Sequence, residues 1–242
     1  MIKEYITKKS FNNLKHLKTN YHTESSLFTN EDKIYKFLKK DYLNREQTIN
    51  ELFKLKHNNI VTPLTTLYDR NGFLGYTMVY YKDYEELDKL LKQNINFIDR
   101  KNICILLCNI FKYMEDNNFA YQDIHEGNIL YKDTDLKVID IDSGIFKKPD
   151  NLEKYDSYLR ASNYFLSNLI LHILYLDSTN DLQRTLFKNK SLIYKTIPNN
   201  LIYFYDFLIN KDGTFIDSLE FLDKIDEKII DDSKNILKRS IN

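Results

Sequence analysis

The stretch that decides the reading is Tyr121-Gln122-Asp123-Ile124-His125-Glu126-Gly127-Asn128-Ile129-Leu130, followed by Val138-Ile139-Asp140-Ile141-Asp142-Ser143-Gly144. Ile129 to Tyr131 and Leu136 to Ile139 read as two short strands turned by Lys132 to Asp135. Asn128 precedes the first strand and Asp140 follows the second, so both belong to the open end of one antiparallel hairpin. Directly opposed residues in such a hairpin have Cα atoms ~4.5–5.5 Å apart. A carboxylate and an amide oxygen converging there are hard ligands. They suit Mg2+, which binds through a few protein oxygens, waters and substrate phosphates. Asp123 lies in the loop before Asn128, where it could orient an attacking hydroxyl or accept its proton.

Upstream, Ile103, Leu106, Leu107, Ile110, Phe111 and Met114 follow helical spacing. Cys104, Ile105 and Cys108 add apolar residues on the other faces, which predicts a central buried helix. Downstream of Lys147 the chain reads as mostly helical, most clearly over Ser162 to Tyr175 and Ser218 to Ile229. In the first third, Lys33 to Leu38 alternate like a strand, and Leu43 to Lys56 carry Ile49, Leu52 and Phe53 at helical spacing. Thr66 to Asp69 and Phe73 to Tyr81 flank Asn71-Gly72, a strong hairpin signal. Glu85 to Leu91 reads as a short helix, and residues 1–30 are polar with no clear element. The expected fold is α+β: a small antiparallel-sheet lobe with one helix over 1–81, and a larger, mainly helical lobe over 82–242.

Composition narrows the function classes. The 242 residues include five glycines, none before Gly72, which excludes a Walker A loop or a GxGxxG fingerprint near the N-terminus. Thirty-five basic residues balance thirty-five acidic ones, so the charge excess expected of a nucleic-acid binder is missing and none is expected as a partner. On the same ground the tyrosines of the 202–205 run, Tyr203 and Tyr205, are expected to pack rather than to stack on bases. Two cysteines, Cys104 and Cys108, are too few for a disulfide scaffold or a zinc set, so they read as core residues in a reducing cytoplasmic protein. The longest apolar stretch, Leu166 to Leu176, is too short for a membrane span, which takes ~20 residues.

The 121–144 segment resembles the catalytic and metal-binding loops of the protein-kinase-like superfamily, H-R-D-x-x-x-x-N followed by D-F-G. The resemblance implies a two-lobed fold and an ATP- and Mg2+-dependent phosphotransferase, with Mn2+ as a substitute metal. Asp123 matches the catalytic aspartate, Asn128 the metal-binding asparagine and Asp140 the metal-binding aspartate; Asp142, in the glycine position, is a second candidate ligand. Lys33-Ile34-Tyr35-Lys36 is similar to the V-A-I-K strand, which makes Lys36 the candidate for the nucleotide phosphates. His57-Asn58-Asn59-Ile60-Val61 resembles the segment after the following helix, from which Glu51 or Glu46 would partner Lys36. Gly75 to Tyr81 looks like the strand into the hinge, placing Met78 and Tyr80 beside an adenine. Ser162-Asn163-Tyr164-Phe165 resembles the buried helix of the large lobe.

The chain also departs from that pattern. Without a glycine-rich loop, Tyr21 to Thr29 would have to cover the phosphates. Tyr121 and Gln122 replace the histidine and arginine, and no A-P-E motif follows Gly144. Thr214-Phe215 stands where the arginine that partners A-P-E would be, so both partners are missing together. His125 is expected to hydrogen-bond within the loop rather than act as a base. The acceptor implied first is a protein Ser/Thr hydroxyl. The D-x-H-x-G-N pattern is closer to aminoglycoside- and choline-kinase-like phosphotransferases, which makes a small-molecule hydroxyl the rival. A pseudokinase, serving as a nucleotide-binding or interaction module, is the alternative from another class.

Overall fold

The computed structural model describes residues 2–17, 24–93, 95–175 and 215–232. Its first elements are β1 (Lys3–Tyr5), α1 (Lys8–Asn12), β2 (Lys15–His16), β3 (Ser25–Asn30), β4 (Lys33–Leu38), α2 (Glu46–Leu52), β5 (Thr65–Asp69) and β6 (Gly72–Val79). Then come β7 (Glu85–Glu86), α3 (Leu87–Leu91), α4 (Phe97–Asp116), β8 (Phe119–Ala120), β9 (Ile129–Lys132), β10 (Asp135–Val138), β11 (Ile145–Phe146), α5 (Leu152–Tyr175) and α6 (Phe215–Lys224). Short 3-10 turns occupy Lys40–Arg45, Glu126–Asn128 and Ile141–Ser143. The architecture is mixed α+β, with sheets that are mostly antiparallel. Among the described residues no helix is long and apolar enough to cross a membrane.

The chain divides into two compact units, Met1–Glu85 with Leu130–Phe146, and Glu86–Ile129 with Lys147–Asn242. The hairpin after Asn128, grouped with the C-terminal part from sequence, thus lies in the first unit. Backbone pairing accounts for this: Val61 N–H donates to Val138 O at 2.9 Å, and Val138 N–H to Asn59 O at 2.8 Å.

The first unit is built on a six-stranded sheet in the order β1-β5-β6-β4-β3-β2. All its pairs are antiparallel except β1 with β5, which run parallel with Lys3 opposite Thr66. The strand expected at 33–38 forms there as β4. The described residues of 1–30, unassigned from sequence, add three strands and α1. The edge strands β1 and β2 are short and bury little, so their sequences carry no strong apolar alternation. The β5–β6 turn differs by one residue from expectation. Asp69 pairs with Gly72, leaving Arg70-Asn71 as the loop. The Asp69 carboxylate sets this register by accepting from the N–H groups of Asn71 and Gly72, at 2.7 and 3.2 Å. The expected 43–56 helix is shorter, because Lys40–Arg45 winds as 3-10 and α2 ends at Leu52.

One sheet face packs α2 through Leu38, Ile49, Val61, Phe73, Tyr76 and Met78. Phe11 of α1 packs the opposite face with Phe28 and Phe37, its ring centroid 5.0 and 5.5 Å from theirs. Gly75, on β6 opposite Phe37 of β4, leaves no room for a side chain. Its φ is +150°, and a Cβ there would lie 2.0 Å from the carbonyl oxygen of Lys36.

In the second unit α4 is the central helix. Asn96 caps it by accepting from Asp99 N–H at 2.9 Å, and Ile103, Cys104, Leu107, Cys108, Ile110, Phe111 and Met114 are buried along it. Leu106, expected on the core face, is only half-buried. Helix α4 packs against α5 and α6. Helix α5 starts well before the expected Ser162, because its first turns are polar and bury only Tyr155. The helix expected over 218–229 breaks after Lys224, where Asp226 accepts from Ile229 N–H at 2.8 Å. Tyr203, Tyr205, Thr214 and residues 21–23 of the expected phosphate cover lie outside the described residues.

Candidate functional site

Strand β4 lies between β3 and β6, and its alternation turns Ile34, Lys36 and Leu38 to the α2 face. A lysine in that row is buried among apolar side chains, and Lys36 is 2% exposed. A buried ammonium is expensive without partners. Lys36 Nζ donates to Asp140 Oδ1, and to Asp142 Oδ1 at 2.6 Å. Tyr76, directly opposite Lys36 in the β4–β6 register, donates its hydroxyl to the same Asp142 oxygen at 2.9 Å. The other oxygen of Asp142 accepts from Arg45 at 3.2 Å, and Arg45 is held in turn by Glu24 at 2.7 Å.

The two aspartates sit in different surroundings. The Asp142 side chain is closed to solvent, whereas that of Asp140 is 29% exposed. Asp140 has φ 59° and ψ 34°, a left-handed conformation that a non-glycine residue adopts at a cost, often at functional sites. Burial works against ionisation in both. At Asp142 the charges of Lys36 and Arg45 prevail and hold the carboxyl well below its ordinary range. At Asp140, burial and the neighbouring Asp142 charge outweigh Lys36 and push the carboxyl up to about 6. Burial alone would lower the Lys36 ammonium, but Tyr76, Asp140 and Asp142 raise it well above its ordinary value. Burial and Asp142 raise the Tyr76 hydroxyl, so it remains a donor.

The two glutamates expected to partner Lys36 make other contacts. Glu46 accepts from the Tyr68 hydroxyl at 2.6 Å, and Glu51 from the Gln47 amide at 3.5 Å on the same helix. Met78 is part of the apolar core. Tyr80 N–H donates to Asp32 O at 2.8 Å, and its carbonyl accepts from Lys82 N–H at 3.1 Å, so both groups fasten the end of β6.

The second unit holds the other motif residues. Asn128 Nδ2 donates to the Tyr121 hydroxyl and the Asp123 carbonyl, each at 2.9 Å, and lies 3.3 Å from Asp123 Oδ2. With its nitrogen committed to these acceptors, Asn128 has its oxygen as the ligand end. Tyr121 is buried and lies parallel to Phe111, with an interplanar angle of 4°. The Asp123 side chain is 55% exposed, with His125 Nε2 3.7 Å away. His125 Nδ1 accepts from Gly127 N–H at 3.1 Å, which caps the 126–128 turn and matches its expected loop-bonding part.

Arg45, Tyr76 and Glu24 were missed from sequence. The signal for Tyr76 was its place opposite Lys36, which only the β4–β6 register reveals. Among the described residues no group of three His, Cys, Asp or Glu side chains could hold a metal. No protein-family model matches the chain, and no curated protein is significantly similar to it.

Proposed function

We infer that the protein is an ATP- and Mg2+-dependent phosphotransferase with a two-lobed, kinase-like fold, moving the γ-phosphate to a hydroxyl. One observation carries this reading: Lys36, buried in the sheet, donates to Asp140, its counterpart in the second motif and 104 positions away. A lysine expected from one motif and an aspartate expected from another therefore meet.

Phosphoryl transfer asks a protein mainly for positioning and charge neutralisation. Lys36 neutralises phosphate charge. Asp140, the exposed aspartate of the pair, and Asn128, through its oxygen, are the proposed Mg2+ ligands; Asp142, with both oxygens engaged, is not. Bound Mg2+ supplies charge neutralisation at the phosphates. Asp123, exposed in its loop, orients the acceptor hydroxyl and takes its proton. Two free, buried thiols agree with a cytoplasmic setting.

The acceptor proposed first is a protein Ser/Thr hydroxyl. The Asp123-Ile124-His125-Glu126-Gly127-Asn128 pattern favours a small-molecule hydroxyl as the second reading. The engagement of Lys36 by two carboxylates favours a non-catalytic nucleotide-binding module as the third. Thermal unfolding with and without Mg-ATP is the first test, since ligand at a hundred times Kd stabilises by ~2.7 kcal/mol. Turnover of γ-labelled ATP by wild type and Asp123→Ala is the second. No shift with Mg2+ or Mn2+ present sinks nucleotide binding, and full turnover by Asp123→Ala sinks the role of Asp123. Label on protein supports the first acceptor class, and turnover only with an added aminoglycoside or amino alcohol supports the second. Binding without turnover supports the third reading.

A further inference from the structure

A lysine that meets phosphate has to be held, because its stem is long and its ammonium turns freely. Asp140 is the more exposed aspartate of the pair and the proposed metal ligand, so a bound cation would compete with Lys36 for its carboxylate. Asp142 has no such freedom. Its Oδ1 accepts from Lys36 at 2.6 Å and Tyr76 at 2.9 Å, its Oδ2 accepts from Arg45 at 3.2 Å, and its side chain is closed to solvent. Arg45 is fixed from the other side by Glu24 at 2.7 Å. The carboxylates on α2 are turned to Tyr68 and Gln47.

We propose that Asp142, clamped by Arg45 and Tyr76, is the positioning residue for Lys36, so that the lysine's lasting anionic partner comes from the 141–143 turn and not from α2. This rests on the phosphotransferase reading. The arrangement reverses the charge supplied from the helical side: Arg45, at the entry to α2, brings a cation, and the anion stands between two cations. Lys36 therefore keeps a buried partner whether or not Asp140 is occupied.

Calorimetric titration of the full chain with Mg-ATP, and with adenosine as a phosphate-free probe, tests the proposal. Asp142→Asn is expected to weaken Mg-ATP binding roughly 10–100-fold, by analogy with the loss when the partner that orients a metal-binding side chain is removed. Adenosine binding should stay as in wild type. On a Lys36→Met background Asp142→Asn should add nothing, because two residues acting as one unit are not additive. Arg45→Gln keeps the carboxylate and should weaken Mg-ATP binding in the same Lys36-dependent way. It serves as the test if urea unfolding shows that Asp142→Asn does not fold.

Equal losses for adenosine and Mg-ATP would overturn the proposal, as would an undiminished loss on the Lys36→Met background. A Lys36-dependent loss from Glu51→Gln, with none from Asp142→Asn or Arg45→Gln, would return the role to α2. The two levels fail differently: a wild type that does not bind Mg-ATP removes the functional reading, whereas binding with additive effects removes only this one.

Discussion

Lys36 and Asp142, 106 positions apart in the chain, meet at 2.6 Å with side chains that are 3% and 0% exposed. Few arrangements make a single ionic contact so dependent on its neighbours. Each charge is tolerated in the core only because the other, with Arg45 and Tyr76, replaces the lost water.

Removing one side of this arrangement strands the rest. Asp142→Ala leaves the Lys36 ammonium with Asp140 alone and should lower unfolding free energy by about 3–5 kcal/mol in urea titrations. Lys36→Met should be milder, because Asp142 keeps Arg45 and Tyr76. The reverse order of severity would contradict the network described.

The two aspartates should give stability opposite slopes with pH. Asp142 is held below its ordinary 3.8, so the stability it contributes is full above that value and is lost as pH falls further. Asp140 is pushed up to about 6 from 3.8, so the folded state prefers its protonated form. Its contribution is greatest below the lower value, declines as pH rises through the interval, and is constant above it. Urea midpoints across the acid range should show the Asp142→Asn penalty shrinking below pH ~4. Asp140→Asn should gain on wild type between pH ~4 and ~6. Slopes of one sign for both variants would refute the assignment.

Gly75 and Gly72 give a matched pair of substitutions. Both have φ outside the range favoured by other residues, +150° and +129°, but only Gly75 faces a backbone atom where its Cβ would go. Gly75→Ala should destabilise by at least ~2 kcal/mol, from backbone strain and forced separation of β4 and β6. Gly72→Ala, opening on free space, should lose only about 1 kcal/mol. Equal effects would show that the close approach at Lys36 carries no weight.

Burial pushes the Cys108 thiol up to about 12 and raises Cys104 well above its ordinary value. Neither thiol should react with a disulfide reagent at pH ~8 in the folded protein, since the thiolate is the nucleophile. Both should react once urea unfolds the chain. Rapid labelling of either under native conditions would place α4 closer to solvent than it is here.

Tyr121→Phe keeps the ring beside Phe111 and removes the hydroxyl that accepts from Asn128. Stability should fall by about 1 kcal/mol, the typical net worth of one such bond. If Asn128 binds metal through its oxygen, the apparent Mg2+ affinity should fall as well. An unchanged Mg2+ dependence would separate the orientation of Asn128 from nucleotide binding.

The elements that were legible beforehand carry their own local signal. Lys33 to Leu38 alternate, and Ile103 to Met114 repeat at helical spacing, so β4 and the middle of α4 could be read directly. The polar opening of α5 and the short strands β1 and β2 bury too little to leave a pattern. The site divides in the same way. Asp123, Asn128 and Asp140 stand out because their spacing in the chain is itself the motif. That Asp142 and Tyr76 join Asp140 around Lys36 does not, because Asp142 reaches the lysine through the pairing of Val61 with Val138 and the packing of the 141–143 turn. Glu51 was expected because its distance from Lys36 leaves room for a loop and two helical turns, and it does lie on α2, but it accepts from Gln47. Arg45, at the end of the 3-10 turn that enters α2, meets Asp142, and no periodicity announces that.

The first compact unit is discontinuous: its sheet comes from the first 85 residues, and the turn bearing Asp140 and Asp142 comes from 130–146. During synthesis the strand carrying Lys36 therefore emerges long before its counter-charges exist. A nascent or proteolytic fragment ending near Glu85 would have to bury an uncompensated ammonium or keep β4 from docking onto β6. The completed sheet is thus tied to translation of the segment that carries both aspartates, and a prematurely terminated chain would present as a substrate for quality control.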